Sequence, residues 1–287
     1  MLFVFSVSFV ILYYLFYPNY VSNSCKIGVL LWFNEIFPTL FIFTILSNII
    51  MSSNILNEIN DRYLYMLNYF LGVILGFPIG AKIANDLCER NLISSKNAIT
   101  IAALSNNFSL PFIVCFCLKN NLHTKNPEIV LISLYLPSFI FLIIFLINNP
   151  LIKQKKTASR FKINIQIIDA GIINGFETLI KLCGYIILFS VIARIPDMIP
   201  NSEIAFVRYL FSFIEATNGI NFICNTKIST DIKTILCTSV LSFGGLSSII
   251  QTKAIVQKLM SIKKYILIKI ILTMASTIIC YLQLIYC

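Results

Sequence analysis

The chain has 287 residues, 58% of them apolar and only 12% charged, and a mean hydropathy of +0.86. A water-soluble domain carries about 25% charged residues, so an all-aqueous surface is excluded and a protein embedded in a lipid bilayer is expected. The net charge of +10 lies in short polar gaps between apolar runs rather than beside aromatics, which fits the Lys/Arg bias of cytoplasmic loops and not nucleic-acid binding.

Each membrane span needs roughly 20 apolar residues, and apolar runs fall near 2–17, 27–50, 64–85, 97–118, 128–149, 177–195, 203–224, 232–256 and 264–286. The expected fold class is all-α: a polytopic transmembrane helical protein of about 8–10 membrane segments, in two pseudo-repeats with broken or re-entrant helices. Residues 1–26 read as an N-terminal membrane anchor helix and loop, without the basic start and small-residue cleavage site of a secretory signal. Residues 27–150 form the first repeat and 177–287 the second. Between them, 151–176 holds Lys153, Lys155, Lys156, Arg160 and Lys162, the densest basic loop and the best candidate for the cytoplasmic side. The alternation over 161–167 suggests a strand by period, but one open strand at a membrane leaves its backbone unpaired, so an interfacial segment is expected. Counting sides outward from that loop places Lys263 and Lys264 on the wrong side if every segment crosses. A re-entrant hairpin in the eighth segment, 232–256, removes the conflict.

Breakers sit inside the runs. Gly76-Phe-Pro78-Ile-Gly80 puts three in five residues; proline removes a helical N–H, and glycine makes an unwound backbone cheap. Ser105-Asn106-Asn107-Phe-Ser109-Leu110-Pro111 places amides and hydroxyls in mid-span, where they must face protein or a water-filled cavity. The second half repeats the pattern with Glu215-Ala-Thr-Asn218-Gly219 and then Ser242-Phe-Gly244-Gly245-Leu-Ser-Ser. Gly219 follows Gly80, and Ser242 follows Ser105, at nearly equal offsets. Interrupted segments at corresponding positions of two halves mark a binding site near the bilayer midplane, although each break also fits a kink accommodated by neighbouring helices.

Among the acids, Glu215 is in mid-span without an in-span basic partner, which is a functional position by default and a hydrogen-bonded structural one otherwise. Glu35 fits an interfacial position as well as a functional one. Glu177 and Lys181 share a helix face and pair with each other. The nine cysteines contain no CxxC, and the single histidine is His123, so no metal site and no cofactor are expected. No nucleophile–base pair is visible in the spans, and an enzyme is not expected.

The segments Gly76-Phe-Pro-Ile-Gly-Ala-Lys82, Ser105-Asn-Asn-Phe-Ser-Leu-Pro111, Phe213-Ile-Glu-Ala-Thr-Asn-Gly219 and Ser242-Phe-Gly-Gly-Leu-Ser-Ser-Ile-Ile-Gln251 resemble those of the YlbJ-type sporulation integral membrane proteins. That family carries the nucleoside-recognition Gate domain, and the resemblance covers roughly residues 27–285. It implies a multi-pass protein of the cell (inner) membrane, in the forespore or mother cell, required in spore formation. It further implies a transporter-like or channel-like core for a nucleoside-like or other small polar solute. The alternative is a structural or assembly protein of the spore envelope that keeps the fold and moves nothing. The expected site is Gly76, Pro78, Gly80, Asn106, Asn107 and Ser109, facing Glu215, Asn218, Gly219, Ser242, Gly244, Gly245 and Gln251. Expected partners are the lipid bilayer, such a solute and a second copy of the chain. Two departures from the family pattern stand out. Leu110-Pro111 replaces a Gly-Pro pair, which is expected to narrow the ligand site, and the chain is shorter than typical members.

Overall fold

The computed structural model describes residues 8, 11–52, 56, 59–149, 165–198, 205–256 and 261–286. The basic linker, with its interfacial segment up to residue 164, lies outside them, as do residues 1–7, 9 and 10 of the N-terminal anchor; the rest of the anchor is helical over 11–16 and again from Pro18, where a loop was expected. Among the described residues there is no strand. Five helical stretches are long and apolar enough to cross a membrane, and a bent pair makes a sixth. The protein is therefore a multi-pass, all-α membrane protein.

The bent pair, Pro18–Ile36 and Leu40–Ser52 at 61°, consists of α1 (Pro18–Leu31), a π-helical turn, Trp32–Ile36, and α2 (Phe37–Ser52); Glu35 falls in the π-helical turn. α3 (Asp61–Leu75) and α4 (Ile79–Glu89) meet at Gly76-Phe77-Pro78, and α5 (Ser95–Ser105) follows. After an extended stretch at 106–109 comes α6 (Leu110–Phe112), which continues as π-helix over Ile113–Leu122. α7 (Pro127–Asn148) and α8 (Ile165–Ala193) then flank the linker. The second half holds α9 (Ala205–Phe211), α10 (Ala216–Cys224), α11 (Thr230–Phe243), α12 (Gly245–Val256) and α13 (Ile262–Tyr286).

Two apolar runs that look like spans do not cross. A straight helix would separate Gly72 and Gly80 by about 12 Å. Instead a β-carbon on Gly72 would lie 3.0 Å from the Gly80 Cα, so α3 and α4 fold back on each other as a hairpin with its tip at Gly76-Phe77-Pro78. Gly76 has φ +83° there, a conformation that costs glycine nothing. α9 and α10 form the second hairpin. A β-carbon on Gly219 would lie 2.3 Å from the Ser212 carbonyl oxygen, and the Tyr209 and Phe222 rings are 5.4 Å apart.

Each hairpin is followed by a span broken in the middle, α5–α6 and then α11–α12, and the two pairs run in opposite directions. Tyr65 of α3 packs on Phe145 near the end of α7, and Lys264 at the start of α13 donates to Thr100 Oγ1 in α5 at 2.9 Å. These contacts gather the mouth of the first hairpin, the end of α7 and the start of α13 at one end of the bundle, termed here the linker end. Ser133 near the start of α7 reaches Gln283 near the end of α13 at the far end. The second hairpin opens at that far end, as the cavities described below require.

The expectation that the eighth segment is the hairpin is thus corrected: 230–256 runs from the far end to the linker end, and the seventh segment turns back. Apolar length cannot separate the two cases; the close approach across Ser212 and Gly219 does. With the hairpin there, Lys263 and Lys264 share an end with both flanks of the basic linker, and the charge conflict disappears. In a cysteine-free background, Lys125→Cys and Lys227→Cys are expected to react with an impermeant thiol reagent from the same side of intact cells, and Lys263→Cys only from the other. Labelling of Lys125→Cys and Lys227→Cys from opposite sides would contradict this topology.

Candidate functional site

Unwound backbone at membrane depth survives only where its N–H and C=O groups find partners inside the protein or in a cavity. In the second half the hairpin tip supplies them. The α12 N-terminus begins at Gly245, and the Leu246 and Ser247 N–H groups donate to the Phe213 and Ile214 carbonyls at 2.8 and 2.9 Å. Gly244 and Gly245 hold φ +86° and +82°, and a β-carbon on Gly245 would sit 3.2 Å from the Ile214 oxygen. Tip and break are therefore one interlocked unit. In the first half Gly76 packs against Ser109, and Gly80 against Ser105, so closely that a β-carbon on either would fall within 2.8 Å of the serine. Ser109 in turn caps the N-terminus of α6, accepting from the Phe112 N–H.

Glu215 is the N-cap of α10 and is buried, 5% exposed. Its carboxylate accepts from the Thr217 and Asn218 N–H groups at 3.2 and 2.8 Å, from Asn218 Nδ2 at 2.7 Å, and from the Thr217 hydroxyl. Asn218 Nδ2 also reaches Ser190 Oγ of α8 at 2.8 Å. The helix N-terminus and these donors hold the negative charge, so Glu215 has a structural task whatever else it does.

A side chain absent from the expected site occupies the first break. Lys269 of α13 is 1% exposed, and its ammonium donates to the Asn106 carbonyl and to Asn107 Oδ1, both at 3.1 Å. Asn106 Nδ2 donates to Tyr265 OH at 2.8 Å and to Thr252 Oγ1 at 3.0 Å, which joins α13, the first break and α12. A single lysine in the apolar run Ile266–Leu272 was the available sequence signal.

Between the two breaks lies a cavity of about 40 Å³, room for roughly three water molecules. One wall is aromatic: Phe77, Phe108 and Phe112, the last two stacked at 4.9 Å. The cavity's polar lining is Glu215, Thr217, Ser247, Ser248 and Gln251, with Ser109 from the first half, and Ile36, Leu40, Leu182 and Ile186 also line it. Gln251 Nε2 donates to Ser247 Oγ at 2.8 Å, while its Oε1 is buried without a partner among the described residues.

Two larger spaces flank the cavity. At the linker end a vestibule of about 680 Å³ is lined by Asn48, Lys82, Asp86, Arg90, Glu177 and Lys181 among others. There Lys82 donates to Asn48 Oδ1, Lys181 pairs with Glu177 at 2.6 Å, and burial pushes the Asp86 carboxyl up to about 6 against the pull of Lys82. At the far end a space of about 320 Å³ is lined by Ile27, Arg194, Asp197, Arg208 and Asn218 among others. The order along the helices agrees. On α8 the vestibule takes Asn174 to Tyr185, the cavity Leu182 and Ile186, and the far space Ala193. On the antiparallel α1–α2 arm it takes Asn48, then Leu40 and Ile36, then Ile27. Leu182 and Gln251 line both vestibule and cavity. The bonded group Glu215, Thr217, Asn218 and Ser190 closes the other side.

Of the expected site residues, Ser109, Glu215, Gly244 and Gln251 line the cavity. Asn218 and Gly219 line the far space. Gly76, Gly80 and Gly245 make close helix contacts, and Pro78 is the N-cap position of α4. Asn106, Asn107 and Ser242 are bonded to α13, Ser242 through Ser276 at 3.1 Å. Leu110 does not narrow the site as expected, because its side chain is 44% exposed and turns away from the cavity. Comparison with family models, curated proteins and solved structures finds no match.

Two substitutions test this geometry. Glu215→Ala is expected to lower stability by about 2 kcal/mol, the loss of a buried charged cap, read as a lower melting temperature in detergent. Gly219→Ala is expected to cost about 1–3 kcal/mol, since the backbone oxygen it meets cannot move aside. Unchanged melting of either variant would show that the second hairpin is not packed as described.

Proposed function

We propose that this protein is a membrane transporter that moves a small polar solute between the two vestibules by alternating access. The observation that carries the reading is the series of three spaces along α8 and along α1–α2, with broken-helix ends at the middle one. The closures are thin. Toward the linker end the solute meets Leu182 and Gln251, and toward the far end the Glu215–Asn218–Ser190 hydrogen bonds. A cavity of about 40 Å³ is far below the roughly 300–1,000 Å³ of a small-molecule site, so the central site must widen to take a solute. Each opening requires one hairpin and its broken span to move against the α1–α2 and α8 framework.

The cavity's chemistry favours a solute with a flat, weakly polar face and a hydrogen-bonding edge. Phe77, Phe108 and Phe112 offer ring faces for stacking, and Glu215, Ser247, Ser248 and the unpartnered Gln251 oxygen offer acceptors and hydroxyls. A nucleoside fits that description, as does the resemblance of the four motifs to the sporulation Gate-domain proteins. On the same footing the process served is spore formation and the location the cell membrane, with the linker end in the cytoplasm. The second reading, a structural protein of the spore envelope, is favoured by one observation: Glu215 and Asn106 are already engaged by internal partners.

Reconstituted protein is expected to take up radiolabelled nucleosides into liposomes. Ser247→Leu, which fills the cavity from α12, is expected to remove that uptake in protein that still folds and inserts, at a lower melting temperature because the leucine crowds the cavity and leaves Gln251 Nε2 without its acceptor. If wild-type protein moves neither nucleosides nor other small polar solutes, the structural reading replaces this one. A deletion strain complemented with Ser247→Leu then asks whether sporulation needs the cavity. Normal sporulation of the deletion strain itself would discard the assigned process.

A further inference from the structure

The Lys269 ammonium lies in the middle of a membrane-spanning helix, 1% exposed, and among the described residues no carboxylate stands within ion-pair distance of it. Burying an unpaired charge is among the most costly acts in folding, so the group must be stabilised otherwise. Its acceptors are the main-chain carbonyl of Asn106 and the side-chain oxygen of Asn107. Asn106 is the C-cap of α5, an 11-residue helix that stops in mid-bilayer. A helix C-terminus carries about half a unit of negative charge on carbonyls that lack intrahelical donors. Two more oxygens of the same break, Ser105 Oγ, which faces Gly80, and Asn106 Oδ1, are without a hydrogen-bond partner among the described residues, in residues 0% and 2% exposed. The break is thus a cluster of oxygens at a negative helix end, the arrangement with which interrupted transport helices hold a mobile cation.

We propose that Lys269 is a tethered cation, a fixed ammonium that does at the first break what a bound monovalent metal ion would otherwise do. An ammonium attached to α13 reaches the carbonyl end without being able to diffuse away, and the neighbouring Tyr265–Asn106–Thr252 bonds keep the unwound segment in register with α12. The second break contains no such group among the described residues. There the α11 end turns through Gly244, Ser242 bonds to Ser276 of α13, and the hairpin tip occupies the α12 N-terminus. The asymmetry has a consequence for the proposed transport function, on which this part of the inference rests. A cation that cannot leave cannot be carried across, so solute movement would not depend on a sodium, lithium or potassium gradient.

Thermal melting of the purified protein in detergent tests the tethered cation without any transport measurement. The wild type and Lys269→Met are compared in sodium, lithium, potassium and choline chloride at one ionic strength. The wild type is expected to melt at the same temperature in all four. Lys269→Met, which keeps length but removes the charge, is expected to melt lower in choline and to regain at least about 2 °C in sodium or lithium, as a small cation fills the vacated oxygens. A wild-type rise in sodium over choline would overturn the proposal, because the break would then hold a mobile ion as well. So would a Lys269→Met protein indifferent to every cation. Should that variant not accumulate, the wild type decides alone, its indifference supporting the proposal and its sodium response overturning it. Either result leaves the liposome uptake experiment unaffected, so failure here and failure of the transport reading are told apart.

Discussion

The constraint on which this structure depends is the hydrogen-bonding demand of helix ends placed inside a bilayer. Four helices start and four stop near the middle of the molecule, and each leaves N–H or C=O groups that lipid cannot satisfy. The protein meets the demand with internal partners. The second hairpin's tip carbonyls take the α12 N–H groups, Glu215 takes those of α10, Ser109 takes that of Phe112, and Lys269 covers the carbonyl end of α5. Once these pairings are made, the hairpins cannot slide along their broken partners, and the central cavity takes its shape from them.

Glycine works here by absence of volume. Gly72 and Gly80 let the arms of the first hairpin touch each other and Ser105, and Gly219 lets the second close on Ser212. Close approach at such small residues is how membrane helices associate, since burial of apolar surface drives little between helices in lipid. The outward faces bear Ile, Leu and Phe, among them Ile147, Phe206 and Ile278, as lipid contact requires. α13 lies outside the pattern of paired breaks and ties them together, reaching the first through Tyr265 and Lys269 and the second through Ser276. It is bonded to both breaks and so links them, beside the direct bond from Asn106 to Thr252 of α12.

The two halves are alike in plan and unlike in chemistry. Both place a hairpin tip against a mid-span break, in opposite senses. The first break is closed by a lysine ammonium and amides, the second by backbone bonds between tip and helix start. The polar wall of the cavity comes mainly from the second half and the aromatic wall from the first, so a solute between them would contact both.

How much of this the sequence determined by itself follows from the range of the interactions involved. Breaks at Gly76–Gly80, Ser105–Ser109 and Gly244–Gly245 were legible because glycine and proline act on the backbone locally, and the all-α membrane class because lipid demands apolar helices whatever their packing. Whether a run crosses or turns back was not legible: 203–224 and 232–256 are similarly apolar, and only the contact of Ser212 with Gly219 separates them. Nor were the roles of the polar residues. Asn106 and Asn107 have the residue types of ligand groups, but Lys269, more than 160 residues away in sequence, takes their oxygens. Gln251 reached the cavity because the hairpin tip fixes where α12 begins. Composition and local stiffness set the elements and their breaks; which break meets which side chain is decided by packing between distant segments, and that only the tertiary structure holds.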